Sequence, residues 1–279
     1  MMRHTSPRAR KFAPFIQLVV GWASCALLPS FTLGGSALLA GQYEPKPSEE
    51  PPAAPNDSAR AVNPVDCAAV ARGFGISDTT AGYRQALRDR SDEPALHYCL
   101  GNALYRDNQL EAAMASYQEA LRLKPDFAEG RNGLGNALTA RADLTGAILE
   151  YRSAIRLEPN FAEAHYNLGL ALDDQRHFIE AVKEFRAAVR LRPGDAEAHF
   201  LFGIDLFRNR EQGAAISELR KAIQLKPAWH LAHYRLGLML GAYGESEAAN
   251  YEFGELWKLG PNYPVILEED EQILRRVRR

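Results

Sequence analysis

Apolar residues recur along most of the chain at steps of three and four residues. Leu100, Ala103 and Leu104 form one such run, and Ala113 and Tyr117 begin the next. This spacing places the apolar side chains on one face of an α-helix. The pattern therefore predicts pairs of amphipathic helices whose apolar faces pack together.

The pattern returns with a fixed period. Prolines stand 34 residues apart, at Pro125, Pro159, Pro193, Pro227 and Pro261. The segment LRLKPDFAE at 121–129 recurs as IRLEPNFAE at 155–163. A period of this size is typical of stacked supersecondary units, each of which buries its apolar face only against its neighbours. The sequence predicts five full units between residues 94 and 263.

Small residues hold fixed places in every unit. When Pro94 is counted as position 1, position 8 is always glycine: Gly101, Gly135, Gly169, Gly203 and Gly237. Position 24 is large and apolar: Tyr117, Tyr151, Phe185, Leu219 and Phe253. Glycine inside a helix costs about 1 kcal/mol relative to alanine. Its recurrence predicts that two helices approach closely at position 8.

This arrangement of Leu-Gly, a later alanine, an aromatic residue and a final proline resembles the tetratricopeptide repeat (TPR) family. The resemblance implies an all-α fold, a right-handed α-solenoid of stacked antiparallel helix pairs (a TPR superhelix). The predicted units are TPR 1 at 94–127, TPR 2 at 128–161, TPR 3 at 162–195, TPR 4 at 196–229 and TPR 5 at 230–263.

The two ends of the array are predicted to be capped. Residues 64–93 retain Tyr83 and Ala86 at repeat positions and are interpreted as a degenerate capping repeat. Residues 264–279 are interpreted as a C-terminal capping helix, because acids come early and arginines late, as a helix dipole favours. Contact of the basic stretch 275–279 with nucleic acid or anionic lipid is the weaker alternative. A net charge of -2 gives no reason to expect a nucleic-acid partner.

The N-terminal region has a different composition. Residues 1–41 join a basic start to a long apolar run and predict a signal peptide or membrane anchor. Cleavage after Ala37 or Ala40, retention in the membrane and lipidation at Cys25 all remain open. The flanking cations predict that the array is exported: periplasmic, secreted or membrane-anchored on the non-cytoplasmic side. Residues 42–63 are predicted to form a Pro-rich disordered linker.

Two local features lead to further predictions. In an oxidising compartment Cys67 and Cys99 can form a disulfide, but two buried free thiols are the favoured interpretation. At the joints between units, Asp126 with Glu129, and likewise 160 with 163, match a capping box at the start of the next helix.

Motifs of catalysis are missing from the sequence. It contains no glycine-rich phosphate loop, no Cys-x-x-Cys and no His-Glu-x-x-His. We therefore expect no enzyme activity, no cofactor and no metal. The histidines at position 4 (His97, His165, His199 and His233) are interpreted as packed side chains. Asp205 replaces a small apolar residue, and we expect it to form a salt bridge with Arg208 or Arg210.

The resemblance implies that the first helices line a concave groove that binds peptides. Asp173 and Asp174 also fall at groove positions. The predicted peptide-binding residues are Tyr98, Asn102, Tyr105, Arg106, Asn132, Asn136, Tyr166, Asn167, Leu170, Phe200, Ile204, Phe207, Arg208, Tyr234 and Leu238. This lining changes from amides and tyrosines in the first units to apolar side chains in the last two.

The expected function is that of a protein-protein interaction scaffold or adaptor, with a protein or peptide partner in the groove. The N-terminal segment, if uncleaved, adds contact with a membrane. The alternative is a non-catalytic accessory or substrate-presenting module of an envelope enzyme such as a glycosyltransferase.

Overall fold

The computed structural model describes residues 65–258. The predicted signal or anchor, the linker and the C-terminal capping helix lie outside the described residues. Within 65–258 the chain forms twelve α-helices and no strand. The all-α prediction is confirmed.

The helices follow one another in pairs. Their bounds are α1 Cys67–Phe74, α2 Thr80–Asp89, α3 Pro94–Arg106, α4 Leu110–Leu123, α5 Ala128–Ala140, α6 Leu144–Leu157, α7 Ala162–Asp174, α8 Phe178–Leu191, α9 Ala196–Arg208, α10 Gln212–Leu225, α11 His230–Ala242 and α12 Ser246–Lys258. The pairs from α3/α4 to α11/α12 coincide with the five predicted units, and α1/α2 lies in the region predicted to cap them.

Stacking of the pairs builds the core. The two helices of each unit pack against each other, and the second helix then packs against the first helix of the next unit. The alanines at positions 20 and 27 are buried in the first four units, for example Ala113 and Ala120 in the first. First helices of neighbouring units also contact one another, as α3 does with α5. The apolar faces of all five units therefore join into a shared core.

In four of the five units, position 8 is glycine because an aromatic ring lies directly over it. A Cβ atom on Gly135 would stand 2.5 Å from Cε1 of Tyr151. Phe185 and Phe253 cover Gly169 and Gly237 in the same way. The predicted close approach is confirmed, and it occurs between positions 8 and 24 of one unit.

The turn inside each unit depends on a left-handed residue. Positive φ angles recur at position 15: Asn108, Ala142, Arg176, Arg210 and Gly244. The next backbone N–H donates to a carbonyl of the first helix, as in Gln109 to Leu104 at 2.9 Å. This geometry ends the first helix and reverses the chain. Four of these five residues are not glycine, so the repeat pattern of the sequence did not predict the left-handed conformation at position 15.

The predicted capping boxes at the joints are wrong. The residue that precedes α5 is Phe127 and the one that precedes α7 is Phe161, and neither helix has a side-chain cap. Both rings are buried. The buried aromatic residue occupies the position directly before each helix. Asp126 and its equivalent 160 therefore lie one residue too early to cap the helix. Among the joints between residues 65 and 258, only the third has a side-chain cap: Asp195, which is equivalent to Phe127 and Phe161, accepts from the N–H of Ala198 at 3.0 Å.

The cysteine interpretation is also corrected. Cys67 and Cys99 form a disulfide, with their Cα atoms 5.4 Å apart. Cys67 stands 34 residues before Gly101, at the position of closest helix approach, and α1 packs against α3. Tyr83 adds a hydrogen bond from its hydroxyl to the carbonyl of Cys67 at 2.8 Å. The front pair is thus tied covalently to the first unit.

Between residues 65 and 258 the chain has no helix that combines the length and the apolar character needed to cross a bilayer.

Candidate functional site

The first helices α3, α5, α7, α9 and α11 share one face, formed by positions 2, 5, 9, 12 and 13 together with Asn167 at position 6, which we call the first-helix face. Tyr105, Arg106 and Arg208 are exposed there. Asn132 and Phe200 are buried. The remaining predicted residues are partly exposed: Tyr98, Asn102, Asn136, Tyr166, Asn167, Leu170, Ile204, Phe207, Tyr234 and Leu238.

In the first unit the face is tied to its surroundings. Tyr98 packs against Phe127, with ring centroids 5.3 Å apart. The hydroxyl of Tyr117 donates to Oδ1 of Asn102 at 2.7 Å. Arg106 forms an ion pair with Asp78 at 3.1 Å, which joins the face to the front pair. These groups are therefore held in fixed positions before any partner arrives.

Amide side chains form a network across the second and third units. Nδ2 of Asn167 lies 3.0 Å from Oδ1 of both Asn132 and Asn136. Asn136 also accepts from the hydroxyl of Tyr151 at 2.8 Å, and Asn132 donates to Glu163 at 3.0 Å. The sequence predicted amides that pair with an extended backbone. In the structure their carbonyl oxygens are already engaged with other side chains.

The apolar half of the face is smaller than predicted. Phe200 is only 2% exposed, and its ring stacks on Trp229 with centroids 4.7 Å apart. It belongs to the core and is unavailable to a ligand, so its assignment to the binding site is corrected. Ile204, Phe207 and Leu238 remain partly exposed and packed against the core.

Arg208 joins the third and fourth units through two carboxyl groups. It donates to Asp173 of α7 and, at 3.0 Å, to Oδ1 of Asp205 in its own helix. Its guanidinium also lies 5.1 Å from the ring centroid of Phe178. The predicted pairing of Asp205 with Arg208 is confirmed as a hydrogen-bonded contact, and the contact of Arg208 with Asp173 was not foreseen.

Asp205 lies in an environment that is unusual for a carboxyl group. Its side chain is buried, and its Oδ2 atom has no hydrogen-bond partner among the described residues. Burial first, and then the charge of Asp173, raise the pKa of Asp205 to about 8. Burial also raises the pKa of Asp173. At neutral pH Asp205 is therefore protonated, and its proton can be donated to Asp173.

The position-4 histidines form a repeated clip. Nδ1 of His165 lies 2.7 Å from Glu184 of the same unit, and Nε2 lies 3.0 Å from the carbonyl of Pro159 in the preceding unit. The same pair of contacts occurs at His199 and His233. In the second unit Arg131 takes the place of the histidine and pairs with Glu150 at 2.9 Å. The histidine clips fasten the third, fourth and fifth units each to the one before it.

The contacts of the clip favour the protonated form of His165 and His233. A carboxylate and a backbone carbonyl only accept hydrogen bonds, so both ring nitrogens must donate. Burial opposes the charge of His165, but its hydrogen bonds to Glu184 and Pro159 outweigh burial and raise its pKa. The hydrogen bond to Glu252 raises the pKa of His233 against the effect of burial. Residues 65–258 contain no cluster of three or more side chains able to hold a metal ion.

Family models match the central part of the array. One described as TPR repeat matches residues 101–141 and 135–175, and one described as Tetratricopeptide repeat matches residues 166–228. The matched residues span α3 to α10, where the position 8 glycines and the paired helices recur. The chain is a tetratricopeptide repeat protein.

Solved structures of other proteins share the fold. The first, YrrB, is described as a TPR protein with an unusual peptide-binding site; it is 24% identical with a TM-score of 0.60, and the match covers 69% of this chain and 100% of that one. MamA from Desulfovibrio magneticus RS-1 is 24% identical with a TM-score of 0.56, covering 60% and 94%. PilF of Pseudomonas aeruginosa is 19% identical with a TM-score of 0.58, covering 69% and 87%. Comparison with curated proteins finds no match.

Within residues 65–258 of this TPR protein, two surface hollows lie among the helices of the second to fourth units. The larger, about 500 Å³, lies among α6, α7 and α8, and its polar walls are already paired, as Arg152 is with Glu180. The smaller, about 220 Å³, lies between α7 and the start of α9 and is lined by Tyr166, Asn167, Glu163 and Glu197. The smaller hollow therefore belongs to the first-helix face.

Proposed function

We propose that this TPR protein is a non-enzymatic scaffold that holds a peptide or protein segment against its first-helix face. The observation that carries the proposal is the row of partly exposed large side chains on α7, α9 and α11. Leu170, Ile204 and Phe207 touch the core on one side and are only partly covered on the other. Grouped apolar side chains of this kind mark interaction sites, and aromatic anchors supply much of their affinity.

The polar groups of the first-helix face support a binding function rather than a catalytic one. Asn132, Asn136 and Asn167 hold one another, and Arg208 is held by two carboxyl groups. Side chains locked in this way present a preformed surface, which lowers the entropy cost of ordering them on binding. The peptide-binding site named for YrrB, a protein of the same fold, supports the same function.

We place this face on the non-cytoplasmic side of a membrane. The Cys67–Cys99 disulfide supports that placement, because such bonds persist in oxidising compartments and are rare in the cytosol. The basic residues that precede the apolar run of the N-terminal segment support it as well.

Site-specific photocrosslinking in the native cell tests the proposal. A photoreactive phenylalanine analogue at Ile204 is expected to crosslink to one polypeptide, and the crosslink should be lost when Phe207→Ala is added. The control position is Ile179, which is 64% exposed on α8, away from the face. Equal crosslinking from both positions, or none from Ile204, would contradict the proposal.

A further inference from the structure

Carboxyl groups gather on the first-helix face of α7 and α9. Glu163 and Glu197 stand at equivalent places near the starts of the two helices, and Asp173 and Asp174 stand near the end of α7. The nearby cation, Arg208, is already engaged by Asp173 and Asp205. This part of the face is therefore negative, although the whole chain carries a net charge of only -2.

The smaller hollow exists because one joint residue differs from the others. At the first joint Phe127 covers Tyr98, and at the fourth Trp229 covers Phe200. The equivalent partner of Tyr166 is Asp195, whose shorter side chain caps α9. The joint residue is therefore not aromatic at this place, and the hollow of about 220 Å³ is lined by Tyr166 and Asp195.

The chemistry of the hollow suits a cationic side chain. Glu163, Glu197 and Asp195 line it together with a single cation, Arg192. Glu163 uses one carboxylate oxygen to accept from Asn132. The ring of Tyr166 adds an aromatic surface, on which an ammonium or guanidinium group is favoured.

A second observation, at the other end of α7, points the same way. Oδ2 of Asp205 is buried and has no hydrogen-bond donor from the rest of the described chain, so its own proton has to serve. A cation that approaches Asp173 favours the loss of that proton, because it compensates the negative charge that the two carboxyl groups then carry. Both ends of α7 therefore favour positive charge, and Leu170 lies between them.

We propose that the segment held on the first-helix face is basic, with one lysine or arginine side chain in the hollow between Glu163 and Glu197 and a second beside Asp173. Apolar residues between the two cations contact Leu170 and Ile204. Ten helical residues from 163 to 173 span about 15 Å, which an extended segment covers in about five residues. The inference rests on the proposed function and specifies the chemistry of its partner.

Selection from a pool of random dodecapeptides tests the charge. The probe is displayed on phage and is selected against the purified full chain in detergent, with empty beads as the control. Enrichment of peptides that carry two lysine or arginine residues about five apart is expected. Enrichment of neutral or acidic peptides would overturn the inference and leave the scaffold function standing. No enrichment over empty beads would count against both.

Variants then test the location. The dissociation constant of the best selected basic peptide should rise at least tenfold in Glu163→Gln/Glu197→Gln and should increase with ionic strength. Asp195→Phe restores the aromatic joint and should block the hollow to a similar extent. Glu119→Gln removes an acid that pairs with Arg122 on α4 and serves as the control, with no change expected. Equal effects of the control and the double variant would overturn the proposed location.

Besides its basic N-terminal start, the chain contains a second basic stretch, at 275–279, outside the described residues. If the selected peptides bind only after residues 275–279 are deleted, the stretch itself occupies the face, and the proposal of an external segment fails. Unchanged binding after the deletion supports it.

Discussion

The ring of Tyr151 lies on the backbone of Gly135, so close that a Cβ atom there would stand 2.5 Å from Cε1 of the ring. The fourth unit differs, because Leu219 takes the place of the aromatic residue. A Cβ on Gly203 would stand 3.1 Å from Cγ of Leu219, and equally far from a backbone oxygen. Glycine at position 8 is therefore required more strictly in the second unit than in the fourth.

We predict that Gly135→Ala lowers the free energy of unfolding by about 1–3 kcal/mol, because the ring or the helix has to move. Gly203→Ala is the matched control. There the gain in helix propensity, about 1 kcal/mol, offsets a mild crowding, so its stability should stay close to that of the wild type. Urea unfolding followed by circular dichroism checks both. Equal losses in the two variants would contradict the packing argument.

The histidine clips predict a pH dependence. The folded pKa values of His165 and His233 lie above the ordinary value, so their stabilisation is complete below about pH 6.5 and is lost as pH rises through the folded values. The surrounding charged groups are Glu184 and Arg190 for the first, and Glu252 and Glu255 for the second.

Arg131 provides the control for the clips, since it makes the equivalent ion pair without titrating. Between pH 6 and pH 9 the melting temperature of the wild type should fall relative to His165→Arg/His233→Arg. Thermal unfolding across that range measures the difference. Parallel curves would show that the clips do not titrate as inferred.

Asp205 predicts a stabilising substitution. The raised pKa means that the folded state holds a proton that the unfolded state releases above about pH 4, so stability falls as pH rises from there through about 8. In Asp205→Asn the amide can donate to Asp173 and accept from Arg208 without this loss. We expect a gain of about 1–3 kcal/mol at pH 8 and a much smaller difference at pH 4. Chemical unfolding of both proteins at pH 4 and pH 8 measures this difference in stability. A lower stability of Asp205→Asn than of the wild type at pH 8 would contradict the protonation of Asp205 inferred above.

The disulfide predicts that two thiols appear only after reduction. Alkylation of the unfolded chain, followed by mass spectrometry, should label Cys67 and Cys99 in reduced samples alone. Cys67→Ala/Cys99→Ala should lose about 3 kcal/mol of stability, because a loop of this length is no longer closed in the unfolded chain. Labelling of both cysteines without reductant would show that the bond does not form.

The sequence was sufficient to predict the helical units but not which of their side chains are accessible. The period of 34 residues, the glycines and the aromatic residues at position 24 give the helix pairs and their closest contacts. Accessibility was harder, because it depends on residues far away in the chain. Phe200 matches a binding position, yet Trp229 buries it; Tyr166 matches the same position, and Asp195 leaves space beside it.

Other features went unpredicted because they lack a shared residue type. The left-handed turn residues are asparagine, alanine, arginine and glycine in different units. The clips combine position 4 with a glutamate 19 residues later, a pair that is recognised only when both helices are in place. The disulfide depends on how α1 lies against α3, which the worn front repeat does not reveal.

The covalent attachment of α1 to α3 has a consequence for assembly. Repeat arrays extend when the open face of a terminal unit receives another unit. The front of the first unit is covered by a pair of helices that Cys67 and Cys99 fasten to it. A second array therefore cannot stack directly onto the front of the first unit while the bond is intact, so reduction of one disulfide controls access to that surface.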